Sequence, residues 1–201
     1  MEKKLPMSRL VQGDVGSGKT AVACALCHSV ALNGYQCAVM APTEILANQH
    51  YETFTSFLQP FGITVGLLTG SMKAKEKNAV LLGLADGTIQ VAVGTHALLQ
   101  DTVSFQNLGL VITDEQHRFG VAQRARLSAK GEEPHLLVMS ATPIPRTLNM
   151  AMSGLRDMSS IEEAPMNRHP VQTYVLEQNE GVIIDAISKE LRRGGQVYYL
   201  H

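Results

Sequence analysis

The sequence predicts an α/β fold built on a mostly parallel central sheet. Two observations carry this. Short apolar runs alternate with helical stretches along most of the chain, the pattern of βαβ units. Hydrophobic residues make up 45% and charged residues 17% of 201 positions, a balance that can bury a core of one ordinary domain and part of a second. The elements follow in order. "RLVQ" (9–12) reads as a strand, and a helix runs from about Lys19 to Asn33, stopped by Asn33-Gly34. "CAVMA" (37–41) is the next strand, and the helix at Thr43 to Leu58 starts behind Pro42 with Thr43 as its cap. "TVGLL" (64–68), a helix at Lys73 to Leu84, "IQVAVG" (89–94) and "LGLVIT" (108–113) continue the alternation. A helix at Val121 to Lys130 and the strand "HLLVM" (135–139) complete it.

After Met158 the character changes. Prolines and mixed charge in "EEAPMNRHP" mark a linker, placed at 164–170, between a first domain at 1–163 and a second segment at 171–201. That segment reads as a strand "VQTYVL" (171–176), an amphipathic helix at about Gly181 to Arg193 and a strand "QVYYL" (196–200). Two strands and one helix are too little for an independent core, so the segment is expected to be the truncated opening of another domain. Its unpaired strand edges would dock on the first domain or lead to self-association.

Charge excludes some partners. Seventeen Lys and Arg against 18 Asp and Glu leave a formal net charge of −1, so the chain is no polybasic arm. Nucleic acid, if bound, must sit in a local groove and not in a global positive field. Cys24 and Cys27 form a C-x-x-C inside a predicted helix with no second pair to complete a metal site, and read as buried thiols. No apolar run reaches the roughly 20 residues of a membrane span. "MEKKLPM" is too short for a signal peptide. A soluble, cytoplasmic protein with no membrane partner is expected.

The chemistry concentrates in two places. "GDVGSGKT" places Gly13, Asp14, Val15, Gly16, Ser17, Gly18, Lys19 and Thr20 between a strand and a helix, with the spacing G-x-x-x-x-G-K-T. Glycines there let backbone N–H groups converge on phosphate oxygens at a helix N-terminus. Lys19 would neutralise the β- and γ-phosphates, and the Thr20 hydroxyl would ligate Mg²⁺. "LGLVITDEQH" delivers Asp114 at the C-terminal end of a buried strand, where open α/β sheets bind ligands. Asp114 would hold the Mg²⁺ shell and Glu115 would polarise an attacking water, which favours hydrolysis of ATP. The spacing from the phosphate loop is compatible with a neighbouring strand.

"GDVGSGKT", "APTEILANQH", "VGTHALLQ", "DEQH" followed by "RFGV", and "SATPIPRT" together resemble the superfamily-two DNA helicases. Within them, residues 8–148 are similar to the first motor domain of the RecG branch. From about Leu148, "LNMAMSGLRDMSSIE", "NRHPVQTYV" and "GGQVYYL" are similar to the transcription-repair coupling factors. The resemblance implies a RecA-like P-loop NTPase sandwich of three layers. It implies an ATP-dependent helicase or translocase acting on branched or stalled-fork double-stranded DNA in recombination and repair. The alternative it offers is translocation on duplex DNA to displace stalled RNA polymerase.

By the same resemblance, Lys19 and Thr20 bind ATP-Mg²⁺, with Asp114 as metal carboxylate and Glu115 as catalytic base. Gln116 and His117 would couple hydrolysis to domain movement through Ser140 and Thr142. Pro42, Thr43 and Glu44, and Gly94, Thr95 and His96, match segments that line the DNA path, with Thr69, Gly70 and Ser71 as weaker candidates. Hydroxyls and helix N-termini suit phosphate-backbone contacts, which position without reading sequence. Arg146 would contact DNA or pair with acid at a domain edge. His50 taken singly reads as structural. Hydrolysis in such enzymes draws arginine fingers from a second motor domain of the full-length protein, so a third reading is an ATP-binding but catalytically incomplete fragment. An AAA-type ATPase acting on protein would not predict "DEQH" or "SATPIPRT".

Overall fold

The computed structural model describes residues 6–114, 121–141, 157–162 and 173–200. These fall in two units, Met1–Met166 and Asn167–His201.

The first unit is built on seven strands. β1 (Ser8–Gly13), β2 (Gln36–Met40), β3 (Val65–Leu68), β4 (Val91–Gly94), β5 (Leu108–Asp114), β6 (His135–Ser140) and β7 (Asp157–Ile161) form one sheet in the order β3-β4-β2-β5-β6-β1-β7. Every pairing is parallel. Among the described residues of this unit the helices are α1 (Lys19–Leu32), α2 (Glu44–Leu58), α3 (Ala74–Ala85) and α4 (Val121–Ser128), with short 3₁₀ turns at Gln59–Phe61 and His96–Leu99.

β2 explains the layering. All five of its residues are buried, as expected of a parallel strand covered on both faces. Cys37 and Val39 face one core with Val93, Ile112 and Met139, closed by Cys27 of α1 and Phe54 and Leu58 of α2. Ala38 and Met40 face the other with Ala92 and Val111, closed by Leu84 of α3, Leu98 of the second 3₁₀ turn and Leu127 of α4. Two cores separated by one sheet make three layers, as the family resemblance implies. The connections through α1 and α2 step one way across the sheet, and those through α3, the 3₁₀ turn and α4 step back on the opposite face. Right-handed crossovers require that division.

Thr43 caps α2 as expected, its side chain accepting a hydrogen bond from the Leu46 N–H. One strand was not predicted. β7 runs beside β1 from Arg9↔Asp157 to Gly13↔Ile161, held at its start by the Arg9 guanidinium, which donates to Ser159 Oγ (2.8 Å) and Asp157 Oδ2 (3.1 Å). As an edge strand with one partner it needs no continuous apolar run, and "DMSSI" has none.

The second unit contains α5 (Glu180–Arg192). Asn179 caps it, its side-chain oxygen accepting from the Gly181 and Val182 N–H groups, and Gly194 ends it with φ of 81°. Neither strand expected at 171–176 and 196–200 is formed at the described positions of those segments. A strand needs a ladder partner for its N–H and C=O groups, and among the described residues of this unit there is none. Tyr174, Val175, Leu176, Tyr198 and Leu200 are exposed instead. The predicted linker at 164–170 lies outside the described residues. No described helix is long and apolar enough to cross a membrane.

Candidate functional site

All seven strands of the first unit point the same way, so the turns that follow them emerge along one edge of the sheet. The predicted residues collect there in two groups.

The first group surrounds the loop after β1. Gly16 and Gly18 take left-handed backbone conformations (φ 81° and 95°), which glycine adopts without the cost a Cβ would impose. Asp14 Oδ1 accepts the Val15 N–H at 2.8 Å, and the Asp14 carbonyl accepts the Ser17 N–H at 3.1 Å. Gly18 caps α1 with no side-chain acceptor, so the first N–H groups of the helix keep their capacity for an anion. No acidic residue stands in that first turn to compete. The Lys19 ammonium folds back over the loop and donates to the Gly13 and Asp14 carbonyls, both at 2.7 Å. Gly13 is required by close approach: a Cβ there would come within 2.5 Å of Ser17 Oγ and 3.1 Å of Ile161 Cβ.

Asp114 does not come from the strand next to β1. β6 intervenes, with Gln12 opposite Ser140 and Asp114 opposite Met139. The expectation of adjacent strands is corrected by one place: at about 4.8 Å per strand, β1 and β5 lie roughly 10 Å apart. The buried Ser140 sits between them. That span leaves room for phosphates and a cation between loop and carboxylate. An open cleft of about 370 Å³ adjoins the loop, lined by Gln12, Gly13, Asp14, Ala141, Ser160, Ile161 and Glu162. β7 thus supplies part of the wall. Glu115, Gln116, His117, Thr142 and Arg146 lie outside the described residues.

The second group follows β2, β4 and β3, three neighbours in the sheet. Thr43 and His96 are exposed, whereas Gly94 and Thr95 are buried. The Thr95 N–H donates to the Leu68 carbonyl (3.2 Å), so this part of the segment serves packing and only His96 of the three reaches the surface. Glu44 turns toward the β3–α3 connection: its carboxylate accepts the Ser71 hydroxyl (2.6 Å) and the Ser71 N–H (3.1 Å). These two bonds, with a smaller contribution from His96, hold the Glu44 carboxyl below the usual glutamate range. The segments "PTE", "TGS" and "GTH" are thereby gathered at one place.

Sequence reasoning missed one residue of the first group. His50, on α2, has its Nε2 2.8 Å from Asp114 Oδ2. The signal was its position: Ala47, His50, Phe54 and Leu58 are the buried stripe of α2, and a histidine among them needs a partner. Cys24, Cys27 and Cys37 are free and buried, which agrees with the reading of Cys24 and Cys27 as buried thiols. Burial pushes the Cys24 thiol up to about 11.

Comparison with known proteins places this geometry in a family. Residues 4–151 match the DEAD/DEAH box helicase model. Over its whole length the chain is 50% identical to the ATP-dependent DNA helicase RecG of Aquifex aeolicus, covering 26% of that protein, and 49% identical to RecG of Bacillus subtilis, covering 30%. It is 47% identical to the transcription-repair-coupling factor of Bacillus subtilis, of which it spans 17%. The chain therefore spans less than a third of these relatives. A solved structure of RecG bound to a three-way DNA junction superposes with a TM-score of 0.78 at 44% identity, over 96% of this chain and 26% of that one. A hypothetical ATP-dependent RNA helicase from Sulfolobus tokodaii shares the fold at a TM-score of 0.60 and 20% identity, over 78% of this chain and 48% of that one. With the family model matching nearly three quarters of its residues, the chain belongs to the DEAD/DEAH box helicase family.

Proposed function

We propose that this chain is the ATP-binding motor domain of a cytoplasmic, RecG-like DNA helicase or translocase acting on branched or stalled-fork DNA in recombination and repair. The observation that best supports it is the convergence of the uncapped α1 N-terminus, Lys19 and Asp114 at one end of the sheet. Residues 1–163 form this domain, and 171–201, beyond the linker at 164–170, open a second motor domain whose contacts cover the apolar side chains exposed in the second unit. Another copy of the chain is the alternative cover.

The loop N–H groups and the start of α1 bind the triphosphate. Lys19 exchanges its two carbonyl partners for β- and γ-phosphate oxygens, a charge-assisted contact stronger than the ones it leaves. The oxygen donors available, one carboxylate and one hydroxyl, suit Mg²⁺, which is held by few protein ligands and completed by phosphates and water. No group of three or more acidic, histidine or cysteine ligands stands among the described residues to form a protein cage. Thr20 and Asp114 would hold the ion, which when bound neutralises the phosphate charge that hydrolysis develops. Glu115 orients and deprotonates the attacking water. Gln116 and His117, acting on Ser140 and Thr142, pass the change to the second domain. Thr43, Ser71 and His96 contact the DNA backbone, with Pro42, Glu44, Gly94 and Thr95 shaping that surface.

The test is equilibrium binding of a fluorescent ATP analogue together with ATP turnover. Lys19→Ala loses binding. Glu115→Gln binds as well as the parent but does not hydrolyse. The isolated chain turns over slowly, because the arginine fingers belong to the second domain. Unchanged nucleotide binding in Lys19→Ala rules out the assigned site. A duplex translocase of the coupling-factor type is the second reading, supported by the near-equal identities of 47% and 49% to the two Bacillus subtilis proteins. Remodelling of a model fork, against displacement of a stalled polymerase, separates the two.

A further inference from the structure

α2 begins in the group read as the DNA surface and, about 9 Å further along its axis, enters the nucleotide group. Its His50 is 9% exposed and lies on the same stripe as Ala47, Phe54 and Leu58. The ring packs edge-on against Phe54, with centroids 6.2 Å apart and planes at 85°. Phe54 is fully buried, so the imidazole plane is fixed by the core and not by solvent. Held this way, Nε2 lies 2.8 Å from Asp114 Oδ2. A carboxylate oxygen only accepts, so the imidazole N–H donates. At the other end of the helix, Glu44 is fastened to Ser71.

We propose that His50 is a positioning residue for the Asp114 carboxylate. By donating to Oδ2 it fixes the orientation in which Asp114 meets the cation, and by standing on α2 it ties that orientation to the Thr43–Glu44 end of the same helix. The inference rests on the reading of Asp114 as the Mg²⁺ carboxylate. Hydrogen-bonded partners of metal ligands generally govern metal affinity by about 10–100-fold.

The experiment measures the affinity of the chain for a fluorescent ADP with excess EDTA and again with Mg²⁺. The ratio of the two is the gain due to the metal. His50→Leu removes the donor. His50→Asn ends one methylene short of the carboxylate and supplies the same comparison should the leucine variant fail to fold. His50→Gln places an amide N–H where the imidazole Nε2 lies. We expect EDTA affinities within about twofold of the parent in all three, and melting temperatures recorded without metal confirm that they are folded. The gain due to Mg²⁺ should fall at least tenfold in the leucine and asparagine variants and return in part in the glutamine variant. A full Mg²⁺ gain in a folded leucine or asparagine variant overturns the proposal. Absence of any Mg²⁺ gain in the parent overturns the assignment of Asp114 beneath it, and loss of binding even in EDTA would show that His50 acts on the fold alone.

Discussion

Replacing Gly94 with alanine tests why the "GTH" segment begins with glycine. Its φ lies outside the left-handed region, so an alanine meets no conformational penalty. The obstacle is space. A Cβ at Gly94 would stand 2.2 Å from the Leu68 carbonyl oxygen and 3.0 Å from Leu98 Cγ. That oxygen is a backbone atom of β3, and it already accepts the Thr95 N–H at 3.2 Å. To admit the methyl group, β3 and β4 must separate at the register position Leu68↔Gly94. Overpacking of a dense core costs about 1–3 kcal/mol and weakening the Thr95 bond about 1 more, against about 0.4–1 returned by the lost unfolded-chain entropy, so Gly94→Ala should destabilise by about 1–3.5 kcal/mol.

Gly66 on β3 is the matched comparison. A Cβ there meets only side-chain methyl groups, of Ile89 (3.0 Å) and Val80 (3.3 Å), at distances a shift of a few tenths of an ångström relieves, and no backbone atom. Loss of unfolded-chain entropy returns about 0.4–1 kcal/mol, so Gly66→Ala should cost about 1 kcal/mol or less. Urea denaturation followed by circular dichroism reads the difference. With a slope of about 2 kcal/mol per molar, the two midpoints should lie roughly 1 M apart. Hydrogen exchange at the Thr95 amide should quicken in Gly94→Ala alone. Equal midpoints for the two variants would refute the close-approach argument.

Two further outcomes follow from ionisable groups. The Glu44 carboxyl is held below its ordinary value of 4.5, first by the Ser71 hydroxyl and then by the Ser71 N–H. A depressed folded-state value stabilises above the unfolded value and is lost as pH falls through the folded one, so Glu44→Gln should flatten the stability profile on the acid side of 4.5. An unchanged acid limb would remove the clamp from the account. Cys24 is pushed up to about 11 and Cys27 well above its ordinary value, both chiefly by burial, and Cys37 is fully buried. At pH 8 the native chain should therefore release almost no colour from Ellman's reagent, and three thiols after denaturation. A thiol that reacts fast in the native chain would contradict this packing.

The central elements were legible because their signals are local. Buried parallel strands such as β2 and β5 are near-continuous apolar runs, and the loop at Gly13–Thr20 announces both its strand and its helix. What escaped depends on partners distant in sequence. β7 is a strand because β1 offers an open edge 150 residues earlier, as Arg9 bonded to Ser159 records. Its own residues, two serines between a methionine and an isoleucine, do not require it. "VQTYVL" and "QVYYL" fail the other way: each has strand composition, and neither finds a ladder partner among the described residues. His50 reads as an ordinary histidine until β5 brings Asp114 beneath it.

The strand order explains why this helix, and not another, can link the two groups. In β3-β4-β2-β5-β6-β1-β7, the turns after β3, β4 and β2 carry the surface read as the DNA path. Those after β5, β6 and β1 carry the nucleotide loop and its carboxylate. The boundary falls between β2 and β5, whose residues pair from Cys37↔Leu110 to Met40↔Thr113. α2 departs from β2, at that boundary, and packs on β4 and β3, its start remaining beside the end of β5 where His50 meets Asp114. Its first residues belong to one group, and one turn and a half later His50 reaches the other. α1 packs on β2 and β5 but only its start, at the nucleotide loop, reaches this edge of the sheet, and α3 and α4 lie on the opposite face. On the proposal above, the route from the Thr43–Glu44 segment to Asp114 Oδ2 is therefore one and a half turns of α2 and the 2.8 Å His50 bond.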